Sequence, residues 1–106
     1  MATKQAARKS KETFSRWDAA DYLKSEADMM AYLQACLEEA PEDAALLTAA
    51  LGDVARAYGM VQLARDTGLT REGLYKALSK KGNPSLDTIL KVIHALGLKV
   101  TLQAAA

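Results

Sequence analysis

The sequence predicts an all-α domain, and three observations carry that prediction. Apolar residues recur at three- and four-residue intervals in several separate stretches, the spacing that lines them up along one side of a helix. Gly59, Gly68 and Gly97, with Pro41 and Pro84, fall between those stretches, where helices must stop. The run from Leu63 to Ser79 fits two short helices around a sharp turn. Only Leu98 to Gln103 alternates large apolar with polar residues, which adds a short C-terminal β-strand to the helical bundle.

Residues 1–13 are small, polar and basic without periodicity, and read as a disordered arm that either tracks along phosphate or serves as a solubility tail. Residues 14–106 form one helical domain. Phe14, Trp17, Tyr22 and Leu23 anchor a short helix near Asp18 to Leu23. Ser25 and Asp28 then have capping-box spacing and open a helix with Met29, Met30, Leu33 and Leu37 on one face, interrupted by Pro41. A second long helix carries Leu46, Leu47, Ala50, Leu51, Val54 and Tyr58, and Gly59 closes it. After the loop from Lys80 to Pro84, Ser85 or Asn83 caps a last helix bearing Leu86, Ile89, Leu90, Ile93 and Leu96, which Gly97 stops. The strand from Leu98 to Gln103 lacks a partner within the chain, and the same strand of a second subunit would supply one.

Residues 60–79 contain the most informative pattern. Leu63 anchors a first helix and the small Ala64 admits a second. Gly68 reaches the left-handed backbone of a sharp turn without a Cβ penalty, Leu69 plugs the core beneath it, and Thr70 is an N-cap with Glu72 suiting the helix dipole. Leu74, Ala77 and Leu78 form the buried stripe. Thr70, Arg71, Glu72, Tyr75, Lys76 and Ser79 therefore share the outward face, and their types suit base edges and phosphates. This is the layout of a helix-turn-helix, with Gln62 placed to donate to a phosphate or to brace the second helix. Lys80, Lys81 and Asn83 follow where a loop would run along a nucleic-acid backbone. Gly73 costs about 1 kcal/mol in a helix relative to alanine, which points to close approach by a neighbouring helix or by a DNA strand.

The 106 residues carry a net charge of +1, which hides a strong asymmetry. Residues 1–16 carry +4, residues 17–53 carry −8 and residues 54–106 carry +5. Either both signs are solvated faces, or the chain meets a polyanion through its C-terminal half and a cationic partner through its middle. Cys36 is the only cysteine, so no intramolecular disulfide forms, and a reducing cytoplasm fits. No run approaches the roughly 18 apolar residues of a membrane span, and no apolar segment follows the basic N-terminus.

The inventory for catalysis is thin. His94 is the only histidine and reads as a surface or core-edge residue, while Cys36 lies at helical spacing from Met29 and Leu33 and reads as packing. No glycine-rich phosphate loop and no metal-ligand cluster is present, so the sequence implies no enzyme, no cofactor and no metal site.

From about Phe14 to Leu102 the chain resembles HigA-like addiction-module antidote proteins, whose DNA-binding domain is of the lambda-repressor-like, or Xre, class. The resemblance rests on Ala50 to Met60, on Leu69 to Ser79, on Gly82-Asn83-Pro84 and on Ala95 to Leu98. It implies an antitoxin that neutralises a RelE/ParE-like (HigB-like) toxin and represses the operon encoding both. It maps DNA reading onto Gln62, Thr70, Arg71, Glu72, Tyr75 and Lys76, with phosphate contacts at Lys80 and Asn83. Toxins of that kind are basic, so the acidic Glu38, Glu39, Glu42 and Asp43 are the expected toxin surface. A homodimer would place two reading helices about 34 Å apart on a palindromic operator in double-stranded DNA. Two other readings fit the same residues: a stand-alone Xre-class transcriptional regulator, and a protein-interaction module that ignores DNA.

Overall fold

The computed structural model describes residues 23–105, in which five helices follow one another without a strand. They are α1 (Glu26–Glu39), α2 (Ala44–Tyr58), α3 (Met60–Thr67), α4 (Arg71–Ala77) and α5 (Leu86–Ala95). The N-terminal arm and the helix expected near residues 18–23 lie outside the described residues, except that Leu23 is buried in the core.

Four of the five described helices begin where a side chain satisfies an orphan amide, at Ser25, Thr70 and Ser85 as the sequence indicates and at Asp43 besides, while α3 starts at Gly59 without one. Ser25 accepts from the amide of Asp28, and Asp28 reaches back to the amide of Lys24. Asp43 caps α2 by accepting from Leu46, Thr70 caps α4 by accepting from Gly73, and Ser85, not Asn83, caps α5 by accepting from Thr88. Gly59 both ends α2 and begins α3 at φ +119°, and the two helix axes turn through 105° there. Gly68 ends α3 in the left-handed conformation at φ +79°.

α3 is the hub, packing against α2, α4 and α5. Its Leu63 is fully buried with Leu51, Val54, Leu74 and Val92, and Leu78 and Leu96 are almost as completely enclosed. Ala64 and Leu69 pack against this core as half-buried neighbours, consistent with their expected roles beside the turn.

Gly52 sets how closely the elements approach. A Cβ there would collide with the carbonyl oxygen of Leu78, just past the end of α4, so the α4 terminus is seated directly on the α2 backbone. The next residue, Asp53, is only 5% exposed. Its carboxylate accepts from the Tyr32 hydroxyl of α1 at 2.7 Å and from the Arg56 guanidinium at 2.8 Å. The residue counted with the acidic segment is therefore an internal tie between α1 and α2.

The buried stripes are narrower than the periodicity indicates. Met29 and Leu33 are buried, but Met30 and Leu37 on the same helix are exposed. Leu46, Leu86 and Leu90 also face outward, because each helix meets the core along one edge and none of the described residues covers the flanking positions. No strand forms over residues 98–103, and the described residues hold no second strand to complete a ladder.

Gly52→Ala is expected to destabilise the fold by about 2 kcal/mol, because a backbone carbonyl cannot swing away from the new methyl. Gly73→Ala, on an exposed face, is expected to stay within about 1 kcal/mol of the parent. Urea unfolding of the two variants checks the contrast, and equal midpoints would remove the case for a constrained contact at Gly52.

Candidate nucleic-acid interface

The outward face of α4 is positioned from its two ends. Thr70 fixes the start, its hydroxyl oxygen 2.9 Å from the Gly73 amide. At the far end Leu78 is buried and the chain folds back, with the Gly82 amide donating to the Ser79 carbonyl at 2.9 Å. A Cβ on Gly82 would strike the Ala77 carbonyl oxygen, so the Gly-Asn-Pro loop needs glycine to lie this close beneath α4. The small Ala77 is half-buried, and Leu78 supplies the large aliphatic side chain at that end of the helix.

Arg71, Glu72, Tyr75 and Lys76 are exposed on one helix held at both ends, and Lys80, Lys81 and Asn83 are exposed in the following loop. Lys76 and Lys81, with Ser79 and Asn83, line a depression of about 380 Å³ whose wall includes Gly73. Two ammonium groups around a concave opening between a helix and a loop form a place where an anion is favoured by charge. The neighbouring-helix explanation of Gly73 does not hold. Among the described residues, and apart from the backbone of α4 itself, the atom near its missing Cβ is the Thr70 hydroxyl oxygen, at 2.8 Å, so glycine there spares the cap and keeps the depression open.

Three residues of the expected reading set also have internal work. The Thr70 oxygen serves the cap, and the Ser79 hydroxyl donates to the Lys76 carbonyl at 2.9 Å, which leaves Ser79 without a proton for a phosphate. Gln62 is exposed on α3, donating to Asp66 at 2.8 Å and accepting from Arg65 at 3.2 Å. Asp66 also accepts from the Tyr58 hydroxyl at 2.9 Å, and that hydrogen bond raises the Tyr58 phenol above its ordinary value. The result is a network from the end of α2 to α3 that fixes the Gln62 amide while leaving one of its N–H groups available.

A second, acidic region lies at the turn between α1 and α2. Glu38 and Glu39 occupy the last turn of α1, which contains no basic residue, at the negative end of the helix dipole. Glu42 is exposed in the turn, and Leu37 and Leu46 are exposed apolar residues on the flanking helices. Asp43 belongs to the same group by charge, yet its carboxylate caps α2. Cys36 is half-buried against the core, and His94 is exposed on α5. Among the described residues no group of histidine, cysteine and carboxylate side chains is arranged to hold a metal ion, and no single helix is long and apolar enough to cross a membrane.

Gly52 and Asp53 were not expected as determinants of this face, although they hold α4 and α1 against α2. Their sequence signal was present only as part of the Ala50 to Met60 motif, where nothing marks which neighbour each would meet.

The described residues form a small all-helical protein with two oppositely charged surface regions. A family model described as "Probable addiction module antidote protein" matches residues 13–104. A protein of Haemophilus influenzae described as uncharacterized is 47% identical over 92 residues, covering 87% of this chain and 93% of that protein. The chain belongs to the addiction-module antidote family. No solved structure matches it.

Proposed function

We propose that the protein is a DNA-binding antitoxin of the HigA-like, lambda-repressor-like kind, which neutralises a RelE/ParE-like toxin and represses its own operon as a homodimer. The observation that carries the DNA half is the exposed face of α4, where Arg71, Glu72, Tyr75 and Lys76 stand together beside the basic depression. In this reading α3 and α4 are the helix-turn-helix. Arg71 and Tyr75 reach base edges in the major groove, and Glu72 accepts from a base amino group. Lys76, Lys80, Lys81 and Asn83 hold phosphates, and Gln62 donates its remaining N–H to the backbone of the same strand. Repression is steric: a dimer on a palindromic operator occupies the promoter.

The toxin half rests on the family and on charge. An antidote has a toxin as partner, and the α1–α2 turn offers carboxylates placed against a helix dipole, beside exposed Leu37 and Leu46. A basic toxin surface would relieve that unfavourable charge and cover the leucines. Occlusion of the toxin's working surface is then sufficient for neutralisation, with no chemistry on the antitoxin. In this reading the protein works in the cytoplasm, where it would meet both its operator and the toxin.

Arg71→Ala with Lys76→Ala is expected to abolish the retarded band that the parent gives with the DNA upstream of its own gene. Parent affinity should fall with salt along a log-log slope of about −0.9 for each phosphate neutralised. No retarded band for the parent at modest salt would rule out the DNA reading and leave an interaction module. Reversing Glu38 and Glu42 to lysine, with Asp43 kept to preserve the α2 cap, is expected to slow association with the toxin encoded beside the gene at least tenfold at low salt. An unchanged rate would remove the acidic turn from the contact.

A further inference from the structure

Helix α3 presents two charged side chains, Arg65 and Asp66, beside Gln62, and all three are exposed. The Asp66 carboxylate spends its oxygens on neutral donors. Oδ2 accepts from the Tyr58 hydroxyl at 2.9 Å, and Oδ1 accepts from the Gln62 amide at 2.8 Å. Tyr58 is the last residue of α2, so this link spans the 105° bend at Gly59. The Gln62 amide oxygen in turn accepts from an Arg65 guanidinium nitrogen at 3.2 Å. One chain of hydrogen bonds thus runs from the end of α2 through Asp66 and Gln62 to Arg65. Its order follows from donor and acceptor types. An ionised carboxylate only accepts, so Gln62 turns its NH2 toward Asp66 and its oxygen toward Arg65. The second N–H of that NH2 remains for an outside acceptor, as do the other N–H groups of the guanidinium.

We propose that Arg65 and Gln62 hold one DNA backbone phosphate between them, and that Asp66, anchored by Tyr58, is the positioning residue that sets both in place. The proposal rests on the DNA reading above, in which Gln62 donates to a phosphate. A guanidinium hydrogen-bonded to that amide lies within reach of the same group. It also suits a phosphate better than an ammonium does, because two of its N–H groups can donate in parallel. Without Asp66 the Gln62 amide is free to turn, and an amide oxygen facing a phosphate is repelled by it. Arg65 then loses the acceptor that fixes its direction.

A carboxylate next to a polyanion is unfavourable by charge alone, and a local cost of that kind fits a residue with a specific task. α3 carries one positive and one negative side chain, so its hold on a phosphate comes from the direction of its donors and not from net charge. The same tie joins α3 to the end of α2, so the donors are fixed relative to the body of the protein as well as to each other. Charge and position therefore make opposite predictions for the loss of Asp66.

Fluorescence anisotropy of the full chain, with a labelled duplex from its own upstream region and a scrambled duplex of equal length, separates the two. Arg65→Ala is expected to weaken binding to the upstream duplex about tenfold and to make the salt slope shallower by about 0.9. Asp66→Ala removes a negative charge, which by charge alone tightens binding to both duplexes. The positioning role predicts the opposite sign on the upstream duplex, a loss of about fivefold, with no loss on the scrambled one. Tyr58→Phe changes no charge and is expected to act in the same direction as Asp66→Ala. An unchanged salt slope for Arg65→Ala overturns the phosphate contact. An Asp66→Ala variant that binds the upstream duplex as tightly as the parent overturns the positioning role. The tie is also read without DNA, because the hydrogen bond to Asp66, with desolvation and the charges of Asp66 and Glu26, holds the Tyr58 phenol above its ordinary value. In an NMR titration Asp66→Ala should bring that value down, and a Tyr58 that titrates alike in parent and variant overturns the tie. A parent that binds neither duplex removes the DNA reading and the phosphate contact with it. A parent that binds its upstream duplex while the variants leave binding unchanged overturns this inference alone.

Discussion

The arrangement depends on the seat of α4 on α2 at Gly52. Three successive residues of α2, about 100° apart around the helix, face three different neighbours. Leu51 fills the core, Gly52 admits the carbonyl that follows α4, and Asp53 ties α1 through Tyr32 while pairing with Arg56. A side chain at Gly52 would push the end of α4 outward, and the Asp53 carboxylate adds a hydrogen bond to the burial of Met29 and Leu33 that holds α1. A short helix of seven residues has little intrinsic stability, so its position comes from tertiary packing. The exposed face of α4 is thus presented by residues that are buried beneath it.

Charge is distributed so that the structural and the exposed carboxylates do different work. Asp53 is enclosed and hydrogen-bonded to two donors, which suits a buried charge. Asp28, Asp43 and Asp66 engage nearby amides or side chains. Glu38 instead stands at the negative end of a helix dipole, which disfavours its sign. Local violations of folding preference of this kind tend to mark surfaces retained for a partner. Gly73 is similar on the basic side: glycine lowers helix propensity there and leaves the depression between Lys76 and Lys81 unobstructed.

The local grammar of the sequence was legible. Ser25, Thr70, Ser85, Gly59, Gly68 and Gly97 mark the helix limits because each acts through its own backbone or an amide three residues away. The outward set on α4 was legible for the same reason, since one helix has one opposite face. Contacts between distant residues were not. Nothing in the charge pattern distinguishes Asp53 from the exposed carboxylates, because its hydroxyl donor is Tyr32, twenty-one positions away. Helical spacing placed Met30, Leu86 and Leu90 with the core, but periodicity gives the direction of a stripe and leaves its width to the neighbours that cover it. The alternation in residues 98–103 predicts a strand, and a ladder requires a second strand that the described residues do not contain.

The most direct measurement is amide chemical-shift mapping of the isotope-labelled full chain titrated with a duplex from its own upstream region. Reading of DNA by α4 requires that perturbations gather on residues 70–83 and at Gln62, and that the acidic turn at residues 37–43 stays unchanged. Shifts confined to the acidic turn, or a titration with no shifts at modest salt, would contradict it.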